Sequence, residues 1–367
     1  MERRFTLRKR QLLKEAQLNS ALSKGMLDRL ETFVDPFAAS LGRREMRENA
    51  QQYVGGLLSD LERKNVESIA YRYDRDRRAL QRFIGIASWD FMPLEKTLVG
   101  QVGHCLGQSD GVIVFDPSGH KKCGHDSVGV QRPWLGRLGK VENCQVGLYM
   151  GYVARRDHAL VASRLYLPKA WAQDRERRNK CGVPKEIRFQ TRHELALAML
   201  KEHGRLLHHR WIAGDDEMGR STAFRRQLRA SEEGYLLAVP SNTSIRDLDR
   251  SPPSYGGRGQ PPKRPFQRVD LWRDSLGQKA WTRIDVRDGE KGPLVLEIVK
   301  RRVVARTERC RDNVTEELLV VTRSQAPEGT MKYDYYLSNA SAETTLDELA
   351  RVTKAEHLIE DAIQRAK

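Results

Sequence analysis

Apolar residues recur at steps of three and four in the first part of the chain. Between Arg44 and Lys64 they form one stripe, made of Met46, Ala50, Tyr53, Val54, Leu57, Leu58 and Leu61. This spacing predicts an amphipathic helix. Similar patterns predict helices over Val66–Tyr71 and Met92–Leu106. We therefore expect residues 1–107 to be an all-α region, a small helical bundle with a basic rim.

The hydrophobic period changes after residue 110. Gly111–Asp116 is a short apolar run closed by Asp-Pro-Ser-Gly, which is typical of a buried strand that ends in a turn. Further strand patterns cover Cys144–Val153, Ala159–Leu167, Arg210–Gly214 and Gly234–Val239, and helical patterns cover Glu194–His203 and Ser221–Ala230. This order of elements predicts a mixed α/β sheet over residues 108–250.

The pattern breaks again at Ser251–Arg268, which holds five prolines and three glycines in 18 residues. Such a composition predicts a loop or linker. The next segment is rich in strand patterns, at Trp281–Val286, Leu294–Val304, Glu317–Arg323 and Lys332–Leu337. One helix is expected after it, starting at Thr345 with Glu348 as a capping box. The boundaries are thus 251–340 for the linker and β-rich segment and 341–367 for the last helix.

The net charge of the chain indicates what kind of partner it binds. Lys and Arg exceed Asp and Glu by 16, and the pI is about 9.7. This balance favours a polyanionic partner, either nucleic acid or an anionic membrane. No apolar run approaches the roughly 18 residues of a membrane span, and no apolar segment follows the basic start as in a secretory signal. Five scattered cysteines argue for a reducing compartment, so we expect a cytoplasmic protein.

Three carboxylates stand out by their context. Asp116 and Asp215 each end an expected strand, and Glu360 lies on the last helix. Strand ends that feed loops are where α/β sheets bind ligands, and carboxylates are ligands that Mg²⁺ prefers. Two such ions about 4 Å apart can clamp both oxygens of a phosphoryl displacement. In so basic a chain, the three acids suggest metal-assisted cutting or joining of a nucleic-acid backbone.

Each acid also has an ordinary structural interpretation. Asp116 precedes a proline and can be a turn residue, and Asp215 can belong to an acidic cluster at a helix start. Glu360 can lie on a solvated helix face. Lys367 comes seven residues later and returns to within about 20° of its direction, so the two share a face. That face fits either a metal ligand beside a phosphate-binding lysine or a row exposed to solvent.

The three acids lie in segments that resemble the blocks of a known family. Val114–Gly124, Ala213–Gly219 and Ile359–Lys367 resemble the three acidic blocks of bacterial insertion-sequence transposases of the DDE (RNase H-like) superfamily. The branch concerned has a β-rich insertion between the second Asp and the Glu. Gly55–Ala70 and Arg82–Asp90 resemble its helical N-terminal part. The resemblance covers nearly the whole chain, in the right order.

The resemblance implies a fold and a reaction. The fold would be an RNase H-like core, a mixed sheet with helices, interrupted by the β-rich insertion and preceded by an all-α DNA-binding region. Asp116, Asp215 and Glu360 would be the catalytic metal ligands, holding two Mg²⁺ ions, with Mn²⁺ able to substitute. The substrates would be double-stranded DNA, namely the terminal inverted repeats and the target. A homodimer on DNA, without a membrane partner and associated with the nucleoid, is expected.

Basic residues near the acids are the candidate DNA contacts: Lys121, Lys122, Arg220, Arg225, Arg226 and Lys367. Any one of them, taken alone, is explained as a solvated surface charge. Trp281 opens the β-rich segment. It could stack on a flipped base near a DNA end, or it could belong to a core or a sheet face.

The sequence departs from its relatives at the last block. They usually carry Arg four residues before the Glu, often Trp three before it and Tyr seven before it; here these are Glu356, His357 and Thr353. Because Glu356 stands where a phosphate-binding Arg is expected, we expect a weakened DNA contact near the site. Relatives also continue past the Lys, so we expect a missing C-terminal dimer contact. Two alternatives therefore stay open: a catalytically impaired copy that inhibits transposition by binding DNA, or another RNase H-like nuclease without strand transfer.

Overall fold

A computed structural model describes residues 25–135, 139–257, 264–289, 292–306, 315–326 and 328–366. These residues form two compact units, one up to Leu98 and one from Val99 onward. The first part of the chain is helical, as the periodicity predicts. Its helices are α1 (Met26–Ala38), α2 (Arg44–Leu57), α3 (Val66–Arg72), α4 (Arg77–Gly85) and α5 (Met92–Leu106).

A small apolar core holds the first unit together. Its buried members are Leu41, Ile69, Ala70, Leu80 and Phe83. Two of the helices start at side-chain caps: the carboxamide oxygen of Asn65 accepts a hydrogen bond from Ser68 N, and the Asp76 carboxylate accepts one from Arg78 N. The caps fix where α3 and α4 begin. The apolar sides of the two helices pack together in the core.

The second unit is built on a large mixed sheet. The strands are β1 (Val112–Lys121), β2 (Trp134–Leu135), β3 (Lys140–Val141), β4 (Cys144–Val153), β5 (His158–Leu165), β6 (Trp211–Gly214), β7 (Tyr235–Ala238), β8 (Ser244–Asp247), β9 (Gln267–Arg268), β10 (Thr282–Gly289), β11 (Gly292–Ala305), β12 (Glu316–Gln325) and β13 (Met331–Ser338). Among the described residues, β2 and β3 pair only with each other. The remaining strands form one sheet in the order β5-β4-β1-β6-β7-β13-β12-β11-β8-β9, with β10 added on β11.

Helices connect and cover these strands. They are α6 (Lys169–Gln173), α7 (Arg175–Lys180), α8 (Arg192–His203), α9 (Asp216–Arg220), α10 (Thr222–Ala230), α11 (Val269–Asp274), α12 (Leu346–Thr353) and α13 (Ala355–Ala366). Short 3₁₀ turns lie at Gly204–Leu206 and Gln278–Ala280. The sequence pattern predicts α8 and α10 and misses the short helices α6, α7 and α11, which have too few turns to show a period.

The strand directions agree with the expected fold class. β4 runs antiparallel to β1 and β5, whereas β6 runs parallel to both β1 and β7. This mixed sheet with helices is consistent with an RNase H-like fold, and the prediction of a mixed α/β architecture is confirmed. The β-rich segment does not form a separate sheet. Its last strand, β13, pairs antiparallel with β7, so β10–β13 extend the sheet that carries the acids.

The expected last helix is broken into two. The Thr345 hydroxyl accepts a hydrogen bond from Glu348 N at 3.3 Å and starts α12, as the capping pattern predicts. The helix then stops at Lys354, and α13 begins at the next residue. Both helices cover one face of the sheet, because the apolar residues of α12 and α13 share a core cluster with those of β1 and β6.

Ile359 of α13 packs tightly on Gly151 of β4. A Cβ atom at this glycine would lie 2.3 Å from Ile359 Cδ1 and 2.6 Å from Ile359 Cγ1. Because several atoms of the isoleucine would overlap, it could not avoid the methyl group by moving its tip alone. The absence of a side chain at Gly151 therefore sets how near α13 comes to the strands.

Gly151→Ala should lower the free energy of unfolding by about 1–3 kcal/mol, as overpacking in a core does. Chemical denaturation measures it. Gly124→Ala is the control, because its Cβ would meet nothing within 4 Å. Adding Ile359→Ala to Gly151→Ala should cost less than the sum of the two single changes. Strict additivity would contradict this close contact.

Candidate active site

The register of β1 and β6 brings two aspartates together. These strands are parallel neighbours, with Val114 opposite Ala213 and Phe115 opposite Gly214. One residue further along each strand stand Asp116 and Asp215. Adjacent strands lie about 4.8 Å apart, so the two residues are side by side at the carboxyl ends of the strands. The sequence alone predicted both positions but could not show that they are neighbours.

The two aspartates also share a face of the sheet. Side chains alternate along a strand, so Asp116 points to the same side as Val114, and Asp215 to the same side as Ala213. Val114 and Ala213 belong to the core cluster that α12 and α13 cover. Asp215 still has extended backbone angles, so the alternation continues through it. Both carboxyl groups therefore lie on the face that α13 covers.

Asp215 is held by the start of the next helix. Its carboxylate caps α9 by accepting a hydrogen bond from Met218 N at 3.0 Å. Burial raises the pKa of Asp215 to about 7; the Met218 bond opposes this, and the charges of Glu217, Asp116 and Asp216 raise it further. A negative charge here is thus unfavourable without a cation nearby.

The α13 helix brings two more acids to this edge. Glu356 is partly buried, and burial together with Asp215, Asp116, Glu360 and Asp334 raises its pKa to about 8. That electrostatic influence places Glu356 near both aspartates. Glu360 lies one turn later, is exposed, and accepts a hydrogen bond from Gln364 Nε2 at 3.3 Å. The structure therefore places the predicted Glu360 at the outer margin of the acidic cluster.

A tyrosine and a histidine complete this part of the sheet. Tyr149 of β4 lies directly opposite Asp116, and its hydroxyl is 2.5 Å from His120 Nε2. Burial, with the Asp116 charge as a second cause, raises the pKa of Tyr149. Nothing in the sequence singles out Tyr149, because a tyrosine in an apolar strand is normally a core residue. Only the β1–β4 register reveals its position.

This donor set fits a divalent cation. The groups of the cluster are carboxylates, which are the oxygen ligands that Mg²⁺ prefers. Burial first, and the neighbouring negative charges second, raise the pKa values of Asp215 and Glu356. A bound divalent ion would favour the ionised forms. Asp116 and Asp215, side by side at the strand ends, are the residues that would hold it.

A basic groove runs along α9 and α10, the two helices that follow Asp215 in the chain. It has a volume of about 980 Å³ and is lined by residues of α9, α10 and the strand ends nearby, Glu217, Arg220, Arg226 and Arg306 among them. Arg226 and Arg306 are exposed; Arg220 is exposed too, and its guanidinium lies 3.0 Å from the Asp216 carboxylate. The groove is mainly cationic and follows α9, the helix that Asp215 caps.

One candidate DNA contact turns out to be internal. Arg225 is buried, and its Nε lies 2.9 Å from Glu317 Oε1 of β12. The same carboxylate accepts a hydrogen bond from the Tyr235 hydroxyl at 2.6 Å. A guanidinium committed to a buried pair is not available to a phosphate, so the expectation for Arg225 is corrected. A helical Arg with solvated neighbours gave no sign of this in the sequence.

The other candidates are distributed as follows. Lys121 is exposed and lies 3.4 Å from Glu142, and Lys122 is half-buried. Trp281 is half-buried against a sheet face, with the Arg323 guanidinium 4.4 Å from its ring centre and Tyr333 beside it. This favours the sheet-face interpretation of Trp281 over base stacking. Lys367 lies outside the described residues.

Comparison with known proteins identifies the class. Residues 36–293 match the model of a family described as DDE superfamily endonuclease. The match spans more than half of the chain, and the protein therefore belongs to this family. It includes Asp116 and Asp215 and ends before α13.

A second comparison finds a similar protein that is named as a probable transposase. The chain is 24% identical over 198 residues to the probable transposase for insertion sequence element IS701 from Microchaete diplosiphon. That alignment covers 53% of this chain and 49% of the relative, so the chain spans about half the length of the protein it matches. The resemblance to insertion-sequence transposases of the DDE superfamily is thereby confirmed. Separately, none of the helices in the described segments is both long and apolar enough to span a membrane.

The raised pKa of Asp215 predicts how stability depends on pH. When a chelator keeps metal ions away, the Asp215 carboxyl has a pKa of about 7 in the folded protein and near 3.8 in the unfolded chain. Between these values the folded state keeps a proton that the unfolded state has lost, so stability should fall as pH rises from 4 to 7. Thermal melts across this range measure the slope. Asp215→Asn should reduce the slope and leave the part that comes from Glu356, whose pKa is also raised, whereas Asp216→Asn, at an exposed neighbour, should leave most of it. Equal slopes in wild type and Asp215→Asn would contradict the assignment.

Proposed function

We propose that this protein is a DNA transposase that cleaves the ends of its insertion element and joins them to target DNA by a DDE mechanism. The observation that carries the proposal is the pairing of Asp116 and Asp215 at adjacent parallel strand ends, in a chain of the DDE superfamily endonuclease family. The finer features of the family resemblance belong to this proposal. They include two Mg²⁺ ions, recognition of terminal inverted repeats, and a homodimer on DNA.

The reaction follows from the position of the acids. Divalent ions such as Mg²⁺ supply charge neutralisation for the attacking and leaving oxygens of a phosphodiester. Asp116 and Asp215 would hold these ions from rigid strand ends, with a carboxylate of α13. Water first attacks the phosphodiester at the element end and releases a 3′-hydroxyl. That hydroxyl then attacks a target phosphodiester and releases a target 3′-hydroxyl, so no covalent intermediate with the protein is required.

The strand bearing Tyr149 supports Asp116 in this scheme. The hydrogen bond between His120 and the Tyr149 hydroxyl fixes the phenol directly across from Asp116. A fixed neighbour restricts the carboxylate to fewer rotamers, which preorganises a ligand at little entropic cost on binding. Tyr149 is thus a positioning residue in this proposal.

The DNA path is assigned to the basic groove along α9 and α10. Arg226 and Arg306 line it and are exposed, which suits contact with phosphates. Such contacts release counterions and make affinity fall with rising salt. For the helical first unit we propose binding of the element ends. Its Arg75, Arg78 and Arg82 are exposed and add to the positive charge.

Asp116→Asn should lower Mg²⁺-dependent cleavage of a plasmid carrying the element ends by about 10²–10³-fold, because one ligand of the charge-neutralising ions is lost. DNA binding should change little. Asp361→Asn, which removes a half-exposed acid paired with Arg365 at 3.0 Å, is the matched control and should cleave normally. Cleavage by Asp116→Asn at the wild-type rate would refute the assignment.

The same assay separates the alternatives for the whole protein. Joined products, with element ends covalently linked to target DNA, are the result expected of a transposase. Cut but unjoined DNA would instead indicate a nuclease of the same fold. Shifted but uncut DNA, with wild-type protein and either Mg²⁺ or Mn²⁺, would indicate a DNA-binding inhibitor of transposition.

Removing the exposed arginines of the groove should weaken DNA binding and also make the affinity depend less on salt. Arg226→Ala and Arg306→Ala should each reduce the slope of log affinity against log salt by about 1, as the loss of one phosphate contact does. Fluorescence anisotropy at several salt concentrations measures it. Arg205→Ala is the control, since Arg205 is exposed and does not line the groove. An unchanged slope in both groove variants would exclude this path.

A further inference from the structure

We propose that Tyr166 and Phe189 form a stacking platform that binds an unpaired base of single-stranded DNA at one end of the basic groove. The inference rests on the proposed function, since it extends the DNA path of that groove. It assigns a class of ligand, a single-stranded stretch of DNA next to a duplex, to the segment that connects β5 with α8.

Two aromatic rings meet at the surface of this segment. The ring centres of Tyr166 and Phe189 lie 6.5 Å apart, with an angle of 66° between the ring planes. Tyr166 is half-buried and supports the pair, whereas Phe189 is 37% exposed. A phenylalanine held at the surface by another ring offers an apolar face to a flat ligand, and every nucleobase has such a face.

Arg178 of α7 fixes the segment that carries Phe189. Its guanidinium donates hydrogen bonds to the carbonyl oxygens of Pro184 at 2.7 Å and Ile187 at 2.8 Å, and to that of Ala172 at 3.1 Å. The backbone is thus tied down two residues before Phe189. A ring on a fixed segment loses little conformational entropy when a base stacks on it.

The charges around Phe189 fit a polyanion. Lys185 and Arg188 are exposed, and among the described residues neither pairs with a carboxylate. Glu186 is the single acid between residues 184 and 190. Proteins bind single strands by combining cations, which contact the phosphates, with aromatic rings, which contact the bases. This charge balance favours nucleic acid over an apolar protein surface as the occupant of the ring.

Arg192 connects the platform with the groove. Its guanidinium carbon lies 5.0 Å from the ring centre of Tyr166, and the same guanidinium is paired with the Glu217 carboxylate. Glu217 and His193 both line the groove. A strand that leaves the groove at this end therefore meets the platform after passing one side chain.

The platform also lies at the same end of the sheet as the aspartates. The backbone N–H of Tyr166 donates to the carbonyl oxygen of Val146 on β4 at 2.9 Å, and Val146 is opposite Gly119, three residues after Asp116 on β1. Two strand spacings and three residues along a strand separate Tyr166 from Asp116 by roughly 14 Å. At the base spacing of a B-form strand, about four nucleotides span that distance, so one strand can reach both places.

Binding of a tailed duplex to the full chain tests the proposal. The probe is a DNA duplex of unrelated sequence with a short single-stranded tail, and the blunt duplex of the same sequence is the reference. Phe189→Ala should weaken binding of the tailed duplex by about 5–100-fold, as loss of one stacked base does, and binding of the blunt duplex by less than about twofold. Fluorescence anisotropy in chelator, where the DNA stays uncut, measures both affinities.

Further variants separate stacking from simple apolar contact. Phe189→Trp should keep the preference for the tailed duplex, because an indole ring also stacks on bases. Phe189→Leu keeps an apolar side chain without a ring face and should lose the preference, as Phe189→Ala does. Phe33→Ala is the matched control, since Phe33 is 54% exposed and its ring centre lies 5.5 Å from that of Phe37. This control should leave the preference unchanged.

A cross-linking measurement uses the wild-type protein and needs no variant to fold. A tail that carries 5-iodouracil in place of thymine should cross-link to Tyr166 or Phe189 on irradiation, because the excited base reacts with an aromatic ring stacked on it. Mass spectrometry of the digested complex locates the cross-linked residue.

The outcomes against the platform differ from those against the proposed function. If wild type and Phe189→Ala prefer the tailed duplex equally, or if the cross-link falls only on other residues, the platform is wrong. Weaker binding of both duplexes by Arg226→Ala would then leave the groove as the DNA path. If Phe189→Ala changes only the oligomeric state in solution, the ring is a contact with a protein, and the platform is again wrong. If wild type binds neither duplex, the proposed function fails and the platform fails with it.

Discussion

The in-register parallel pairing of β1 with β6 is the constraint on which the site depends. It places Asp116 beside Asp215 although 98 residues separate them in the chain. Burial is the main cause of the raised pKa of Asp215, and the charges of Glu217 and Asp116 add to it, so an ionised carboxylate is costly at this edge. The fold tolerates this cost because it is concentrated at one edge, where a divalent cation can remove it.

The surrounding elements hold this edge in place. Arg225 of α10 donates to the Glu317 carboxylate of β12 and to the Gly219 carbonyl oxygen at the end of α9. Since Tyr235 of β7 donates to the same Glu317, one buried network ties the helices that follow Asp215 to the extended part of the sheet. The strands of the β-rich segment therefore serve the site structurally, because they anchor the segment that begins at the second aspartate.

The sequence predicts elements well where the pattern is long and local. The strand at Cys144–Val153 and the cap at Thr345 are both present in the structure. Local patterns cannot report pairing between distant strands, so the positions of Tyr149 opposite Asp116 and of Arg225 against Glu317 emerge only from the fold. Nor could spacing show the break at Lys354, since the apolar stripe continues through it.

A crystal grown with Mn²⁺ and measured at the manganese absorption edge tests the central claim most directly, because anomalous scattering locates the ions independently of activity. The account predicts manganese within coordination distance, about 2.0–2.3 Å, of carboxylate oxygens of both Asp116 and Asp215, with a glutamate of α13 completing the site. Manganese bound elsewhere, with the two aspartates turned away from each other, would contradict it.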